Sequence, residues 1–370
     1  MADDAQHMRA ALGLARRGLG STWPNPSVGC VIVRDGVVVG RGVTAPFGRP
    51  HAEPQALAMA GEAARGATAY VTLEPCCFQG RTAPCTEALI EAGIARVVIA
   101  TCDPDTRVDG AGMRRLREAG IEVVQGLLRA EGEEVAEGLY HRIRLGRPMV
   151  TLKLATTLDG RIATAGGESQ WISGEPARRM GHALRGRHDA VMVGIGTALA
   201  DDPHLTCRIP GFKQVATVRV VADGHLRLGL LSRLVVTARE TPTWVIARDD
   251  ADSARTAALA GLGVEVLAVP GGEAGVDLAA GLRALAGRGV TRLLVEGGGR
   301  LAAGLLRADL VDRVAWFHAP GVVGGDGLAA VQAFGVATLA EMPRFVRDRV
   351  TPLGDDMLTE LKRAPRGQEG

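Results

Sequence analysis

Residues 71–85 read VTLEPCCFQGRTAPC. The stretch leaves a β-branched, apolar segment, 67–74 (ATAYVTLE), and enters a helical pattern at 86–93 (TEALIEAG). A strand, a cysteine-bearing loop and a helix follow in that order, which is the signature of an α/β unit. Working outward, residues 5–18 and 50–64 have helical periodicity. Pro54 is tolerable only because it falls in the first turn of the second of these helices. VGCVIVRDGVVVGRG (28–42) reads as a hairpin turning on Asp35-Gly36. Strands are predicted at 95–101 and 121–126, with a helix at 114–120 between them.

A second unit begins near Arg147. MVTLKLA (149–155) reads as a buried strand, and strands recur at 189–194, 217–222, 243–247, 264–268 and 291–295, with helical stretches between most of them. This predicts a second α/β domain on a mostly parallel sheet. The expected boundaries are 1–146 and 147–363, with 364–370 a frayed tail.

The chain has 370 residues, enough for about two domains. Net charge is +2 and aromatic residues are 3%, which speaks against nucleic acid as a partner, for want of both counterion release and stacking platforms. No apolar run approaches the ~18 residues of a membrane span. The first residues, MADDAQHMRAALGLARRG, lack a signal-peptide core, so a cytoplasmic location is expected. Thiols stay reduced there. Three of the six cysteines crowded into ten positions then point to a metal or to catalysis instead of disulfides.

The cysteines belong with His51-Ala52-Glu53. An H-x-E followed by P-C is the signature of zinc deaminases, here His51, Glu53, Pro75 and Cys76. A catalytic zinc takes three protein ligands and keeps a fourth position for water. His51, Cys76 and Cys85 would supply one imidazole and two thiolates, and Glu53 would be the non-ligand carboxylate that shuttles the proton. Cys77 competes as a ligand, but only Cys76 and Cys85 directly follow a proline. All three chosen ligands are expected at or just before helix starts, where free N–H groups favour thiolate. A lone cysteine would ordinarily be a buried thiol, and that reading is kept for Cys30, Cys102 and Cys207.

Taken with Asn25-Pro26-Ser27-Val28-Gly29, Glu74-Pro75-Cys76 and Gly80-Arg81-Thr82-Ala83-Pro84-Cys85, the chain resembles the bifunctional deaminase-reductase family of riboflavin biosynthesis. The resemblance implies a fold. A cytidine-deaminase-like three-layer α/β domain would be followed by a dihydrofolate-reductase-like α/β domain. It also implies two reactions: zinc-dependent deamination of a phosphoribosylated diaminopyrimidinone, then NADPH-dependent reduction of its ribosyl group to ribityl. Asn25 would hold the pyrimidine edge. Many members carry histidines where this chain has Thr44 and Phe78, so substrate contacts, not the reaction class, are where it departs.

The resemblance continues through TLKLATTLDGRIAT (151–164), SQWIS (169–173), VGIGTALADDPHLTCR (194–208) and VEGGG (295–299). It implies substrate contacts at Lys153, Ser169, Arg185, Leu205, Arg208 and Glu296. Arg185 and Arg208 are the expected phosphate ligands, since guanidinium pairs bidentately with phosphate. Cofactor contacts are implied at Ala155, Trp171, Thr197, Asp201, Asp223, Gly298, Gly299, Arg300 and Gly304. Trp171 could equally pack in the core. LLVEGGGRLAAGLL reads as a strand, a glycine loop and a helix, able to present N–H groups to a phosphate. It lacks the acidic residue about 20 positions on that completes a Rossmann fingerprint. The remaining histidines, His182 among them, are expected to be structural or exposed. A homo-oligomer is expected.

Two other readings stand beside this one. The first is a zinc deaminase of another base or nucleoside with a regulatory nucleotide-binding C-terminal domain. The second is a structural zinc module, which would ordinarily want four protein ligands.

Overall fold

The computed structural model describes residues 2–80, 83–212, 215–272 and 275–364. Arg81 and Thr82 of the cysteine loop, and the expected tail from 365 on, lie outside the described residues. The chain divides into two compact units, one ending at Gly146 and the other beginning at Arg147.

The first unit runs α1 (Ala2–Gly18), β1 (Gly29–Arg34), β2 (Val37–Val43), α2 (Ala52–Ala60), β3 (Thr68–Val71), α3 (Cys85–Glu91), β4 (Arg96–Ile99), α4 (Ala111–Glu118), β5 (Glu122–Gln125) and α5 (Arg129–Leu145). Its sheet has the order β2-β1-β3-β4-β5. β1 is antiparallel to both β2 and β3, while β3, β4 and β5 are parallel. Side chains alternate between sheet faces, and β1 shows both sides buried. Cys30 and Ile32 pack among Ala52, Ala56, Leu89, Met113 and Leu116 from α2, α3 and α4. Val31 and Val33 pack among Met8, Leu12 and Ala15 of α1 and Val135 of α5. Burial on both faces explains why the strand reads as one apolar run. The turn uses Asp35 (φ 50°) and Gly36 (φ 76°), both left-handed, as a tight hairpin of this kind demands.

The placement of α2 fixes the site. On β2, Gly40 and Gly42 face this helix so closely that a Cβ at either would collide with the Ala56 or Ala52 carbonyl oxygen. With no side chain between them, helix and strand pack backbone to backbone. This sets where His51, the N-cap of α2, stands.

The second unit runs β6 (Met149–Thr156), β7 (Arg161–Ala163), α6 (Glu175–Gly186), β8 (Ala190–Gly194), α7 (Ile195–Asp201), β9 (Val218–Ala222), α8 (Arg233–Val236), β10 (Thr243–Arg248), α9 (Ser253–Gly261), β11 (Glu265–Val269), α10 (Leu278–Gly287), β12 (Arg292–Glu296), α11 (Gly299–Arg307), β13 (Arg313–His318), β14 (Leu328–Ala329), β15 (Phe345–Leu353) and β16 (Asp356–Arg363). The main sheet has nine strands in the order β11-β10-β9-β8-β12-β6-β13-β16-β15. It is parallel from β11 to β13, and β16 and β15 close it as an antiparallel hairpin. The parallel strands are buried and Val/Leu-rich: β12 is buried along its whole length and β8 along all but its last residue. Asp189 ties two of them together, since one of its carboxylate oxygens accepts from Thr291 N–H, Thr291 Oγ1 and Arg292 N–H at 2.7–2.9 Å.

Candidate active sites

In the first unit, His51 Nδ1, Cys76 Sγ and Cys85 Sγ all lie within 4.8 Å of one another, the one such cluster of three metal-ligating groups among the described residues. His51 comes from the start of α2 and Cys85 from the start of α3. Cys76 departs from expectation, because it sits in the loop after β3 and not beside a helix start of its own. Its sulfur nevertheless reaches one: the backbone N–H of Cys85 donates to Cys76 Sγ at 3.4 Å. The loop is pinned by Thr86, whose N–H and Oγ1 both donate to the Cys76 carbonyl. Cys77 turns the other way, toward the Arg107 carbonyl, with a 3.7 Å contact.

The electrostatics of the three donors are those of a cation site. The bond from the Cys85 thiol, helped by His51 and the Cys85 N–H, holds Cys76 down to about 4, while the same bond and burial push Cys85 up. The bond to Cys76 also raises His51. Two sulfurs and an imidazole thus share protons that a divalent cation would replace. One imidazole and two sulfurs with no fourth protein donor in the cluster fit a zinc ion that keeps an open position.

Glu53 lies on the first turn of α2 and is buried, 3% exposed. Burial, then the Cys76 charge, raise it, against the pull of His51 and the Cys85 thiol. Asn25 is on the other side of the imidazole: its amide nitrogen is 3.3 Å from His51 Nε2 and donates to the Gly48 carbonyl at 2.9 Å. Thr44 exchanges bonds with the Val28 backbone. Phe78 carries the Arg107 guanidinium 4.3 Å above its ring, and Arg107 pairs with Asp105. Asp103 went unremarked in the sequence, and Glu74 entered only as part of the Glu74-Pro75-Cys76 motif. Asp103 is pushed up to about 6, mainly by burial. Glu74 caps α4 by accepting from the N–H groups of Gly110 and Met113.

The second unit gathers part of its expected set through one ion cluster. Arg185 on α6 grips Glu296, the last residue of β12, with Nε and Nη2 at 2.6 and 2.8 Å. Lys153 on β6 stands 3.9 Å from the same carboxylate. Burial opposes the charge of Glu296, but Arg185 and then Lys153 outweigh it and hold the carboxyl down to about 2. Burial pushes Lys153 down. Arg185 was expected on a phosphate, yet much of its guanidinium is spent on Glu296, and Nη1 donates to the Thr206 carbonyl at 3.2 Å. Arg208 is exposed, with its guanidinium against His182. Leu205 is buried and left-handed at φ 52°.

Gly297 (φ 76°) and Gly298 (φ 84°) stand between β12 and α11, and Thr197 is their neighbour: an added Cβ on Gly298 would lie 3.2 Å from Thr197 Oγ1. Gly299 begins α11, with Arg300 exposed after it and Gly304 further along. Ala155 lies on β6 opposite Phe317. Trp171 does not pack in the core. It is 68% exposed, with the Arg178 guanidinium 4.7 Å from its ring, and Ser169 is half-buried in the same loop. Asp201 ends α7 in an exposed position. Asp223 is fully buried just past β9, one oxygen accepting from Leu228 N–H. Cys207 and Cys102 are only partly buried, whereas Cys30 is fully so.

A sheet sandwiched by helices, with imidazole, two sulfurs and a buried carboxylate at one edge, defines a zinc-dependent deaminase domain; a separate reductase-type α/β domain follows it. The comparisons agree on both halves. The cytidine and deoxycytidylate deaminase zinc-binding region matches residues 1–101, and the RibD C-terminal domain matches 148–359. The riboflavin biosynthesis protein RibD of Aquifex aeolicus is 42% identical over 361 residues, covering 97% of this chain and 98% of its own. The solved structure of Acinetobacter baumannii RibD is 37% identical with a TM-score of 0.87, over 98% of this chain and 99% of that one. A Thermotoga maritima structure described as a diaminohydroxyphosphoribosylaminopyrimidine deaminase/5-amino-6-(5-phosphoribosylamino)uracil reductase is 34% identical with a TM-score of 0.85, covering 98% and 99%. The chain belongs to the RibD family: it is a bifunctional enzyme of riboflavin biosynthesis, with a zinc-binding deaminase domain and a reductase domain of the NADPH-dependent type. No helix among the described residues is long and apolar enough to cross a membrane.

Proposed function

We propose that residues 1–146 deaminate 2,5-diamino-6-(5-phosphoribosylamino)pyrimidin-4-one and that 147–363 then reduce its ribosyl group to ribityl. The observation that carries this is the convergence of His51 Nδ1, Cys76 Sγ and Cys85 Sγ beside a buried Glu53. Those three side chains would hold the zinc. When bound there, zinc supplies the Lewis acidity that lets water act as a nucleophile near neutral pH. Glu53 carries the proton: its carboxylate takes it from the attacking water and returns it to the departing amine, and burial suits it to hold a proton in transit. Asn25 faces the same imidazole; one of its two amide hydrogens goes to the Gly48 carbonyl, and the other, with the amide oxygen, reads the pyrimidine edge.

In the second domain, NADPH supplies the hydride. The glycine turn at 297–299, with Thr197 against it, approaches the cofactor by backbone, which the absence of side chains permits. Ala155, Trp171, Asp201, Asp223, Arg300 and Gly304 complete the cofactor contacts. Glu296 and Lys153 flank the sugar with Ser169 and Leu205, and Arg208 supplies the charge that meets the phosphate. Arg185 orients Glu296 and lends the remainder of its guanidinium to the same group. The six free cysteines suit a reducing, cytoplasmic setting.

The test is mass spectrometry of the substrate after incubation with the zinc-loaded protein, with and without NADPH. Without it, a gain of about one mass unit reports replacement of the amine by oxygen; with it, a further gain of about two reports reduction. Glu53→Gln should keep its zinc and lose deamination by about 10²–10⁴-fold. Unchanged deamination in that variant would remove Glu53 from the mechanism.

A further inference from the structure

His182 and Arg185 stand one turn apart on α6 and share one face of it. Both reach the same carbonyl. Arg185 Nη1 donates to Thr206 O at 3.2 Å, and His182 Nδ1 lies 3.1 Å from that oxygen. A carbonyl only accepts, so this shorter contact puts the proton on Nδ1 and leaves a lone pair on Nε2; the Arg208 backbone N–H, 3.4 Å from Nδ1, is the longer competitor for that atom and brings the same residue to the ring. Onto that lone pair fall Nε and Nη2 of Arg208, at 3.4 and 3.3 Å. Burial, the Arg185 charge and then the Arg208 charge all press His182 below the ordinary imidazole value, so the ring stays neutral and able to accept. The segment carrying Arg208 is drawn tight against the helix. At Gly186 an added Cβ would lie 2.5 Å from the Phe212 ring and 3.2 Å from Cys207 Sγ.

We infer that His182 is a positioning residue of the reductase: it anchors one edge of the Arg208 guanidinium and aims the other at the phosphate of the substrate. The inference deepens the reading of Arg208 given above and rests on it. An arginine on an exposed loop otherwise samples many rotamers, and ordering it on binding costs side-chain entropy. With Nε and one Nη2 hydrogen committed to His182, the other Nη2 hydrogen and both on Nη1 remain. Those match the two-oxygen face of a phosphate. Arg185, one turn away, is held by Glu296 in the same way, so α6 contributes one fixed guanidinium of its own and the half-buried imidazole that fixes the second, on the Arg208 segment.

The experiment is steady-state reduction of the deaminated intermediate by the full chain, with NADPH binding by calorimetry as the check that each variant's reductase domain is folded. Arg208→Ala should raise KM for the intermediate. His182→Ala should raise it about tenfold, the loss of one charged hydrogen bond, with kcat within about twofold of wild type. The double variant should be no worse than Arg208→Ala alone, because His182 acts only through that arginine. His182→Gln, whose side-chain oxygen can accept from Arg208, should recover most of the affinity. If Arg208→Ala raises KM while His182→Ala does not, or if the two effects simply add, the positioning role is wrong. If Arg208→Ala leaves KM unchanged, the reading of Arg208 fails and this inference falls with it.

Discussion

In the deaminase domain, three donor atoms from two helix starts and one loop meet within 4.8 Å, and their charges are set by the protons they share. In the reductase domain, Lys153, Arg185 and Glu296 come from β6, α6 and β12 and meet as a largely buried ion cluster. The first centre is a set of protons waiting to be displaced by a cation; the second sets two basic side chains against one carboxylate and so keeps an excess of positive charge for a phosphorylated substrate. One is therefore fragile to loss of a ligand atom, and the other to loss of a balancing charge.

The sharpest way to break this comparison is Cys85→Ser. It should abolish zinc retention and deamination, while reduction of the deaminated intermediate persists; elemental analysis beside the two separate assays would show it. Cys77→Ser, one residue from a ligand but turned toward the Arg107 carbonyl, should change neither. Equal zinc loss from both variants would mean that ligand choice in this loop is not fixed by geometry. The next effect in size is Arg185→Ala. It strands Glu296 with only Lys153 nearby, at 3.9 Å, so beyond losing reduction it should destabilise the reductase domain by about 3 kcal/mol, measurable by denaturant titration. Deamination should survive.

The smallest effect lies at a pair belonging to neither centre. Asp4 on α1 accepts from Arg96 at 3.0 and 3.1 Å and from the Tyr70 hydroxyl at 2.6 Å. Arg96, then Tyr70, hold its carboxyl down to about 2. A lowered folded-state value means that the stabilisation is complete above the unfolded aspartate value of about 3.9 and disappears as pH falls through about 2. Asp4→Asn should therefore lower the melting temperature slightly at pH 7, by an amount worth under about 1 kcal/mol, and the difference should close on acidification. A difference as large at pH 2 as at pH 7 would show that Asp4 acts by packing and not by charge.

The metal cluster was legible because its residues are rare types at tight spacing, and the strands β1, β8, β10 and β12 because burial on both faces writes them as apolar runs. Other elements left weaker marks. α5 follows a left-handed Leu128 and contains Gly132 and Gly138; at Gly132 the helix packs closely on the sheet, and a Cβ there would lie 2.9 Å from Ala100 Cβ. Glycine in a helical stretch dilutes the periodic signal. β15 carries Arg347, Asp348 and Arg349 because it is the outer strand of its sheet. Charges guard such edges and make the sequence read as a loop. β13 is partly buried and apolar and could have been found; its parallel pairing with β6, remote in sequence, leaves no local trace. The role of His182 was hidden for the same reason: its spacing from Arg185 marks a shared helix face, but nothing local says that Thr206 and Arg208 fold back onto it.

Gly40 and Gly42 own no donor atom and touch no ligand, yet they govern how near α2 can come to β2. Even one methyl group there would lever the helix outward and swing the imidazole at its tip away from the sulfurs. The grip of this domain on its ion is thus adjusted from the rear of the sheet, through bare backbone, at positions a survey of ligands would pass over.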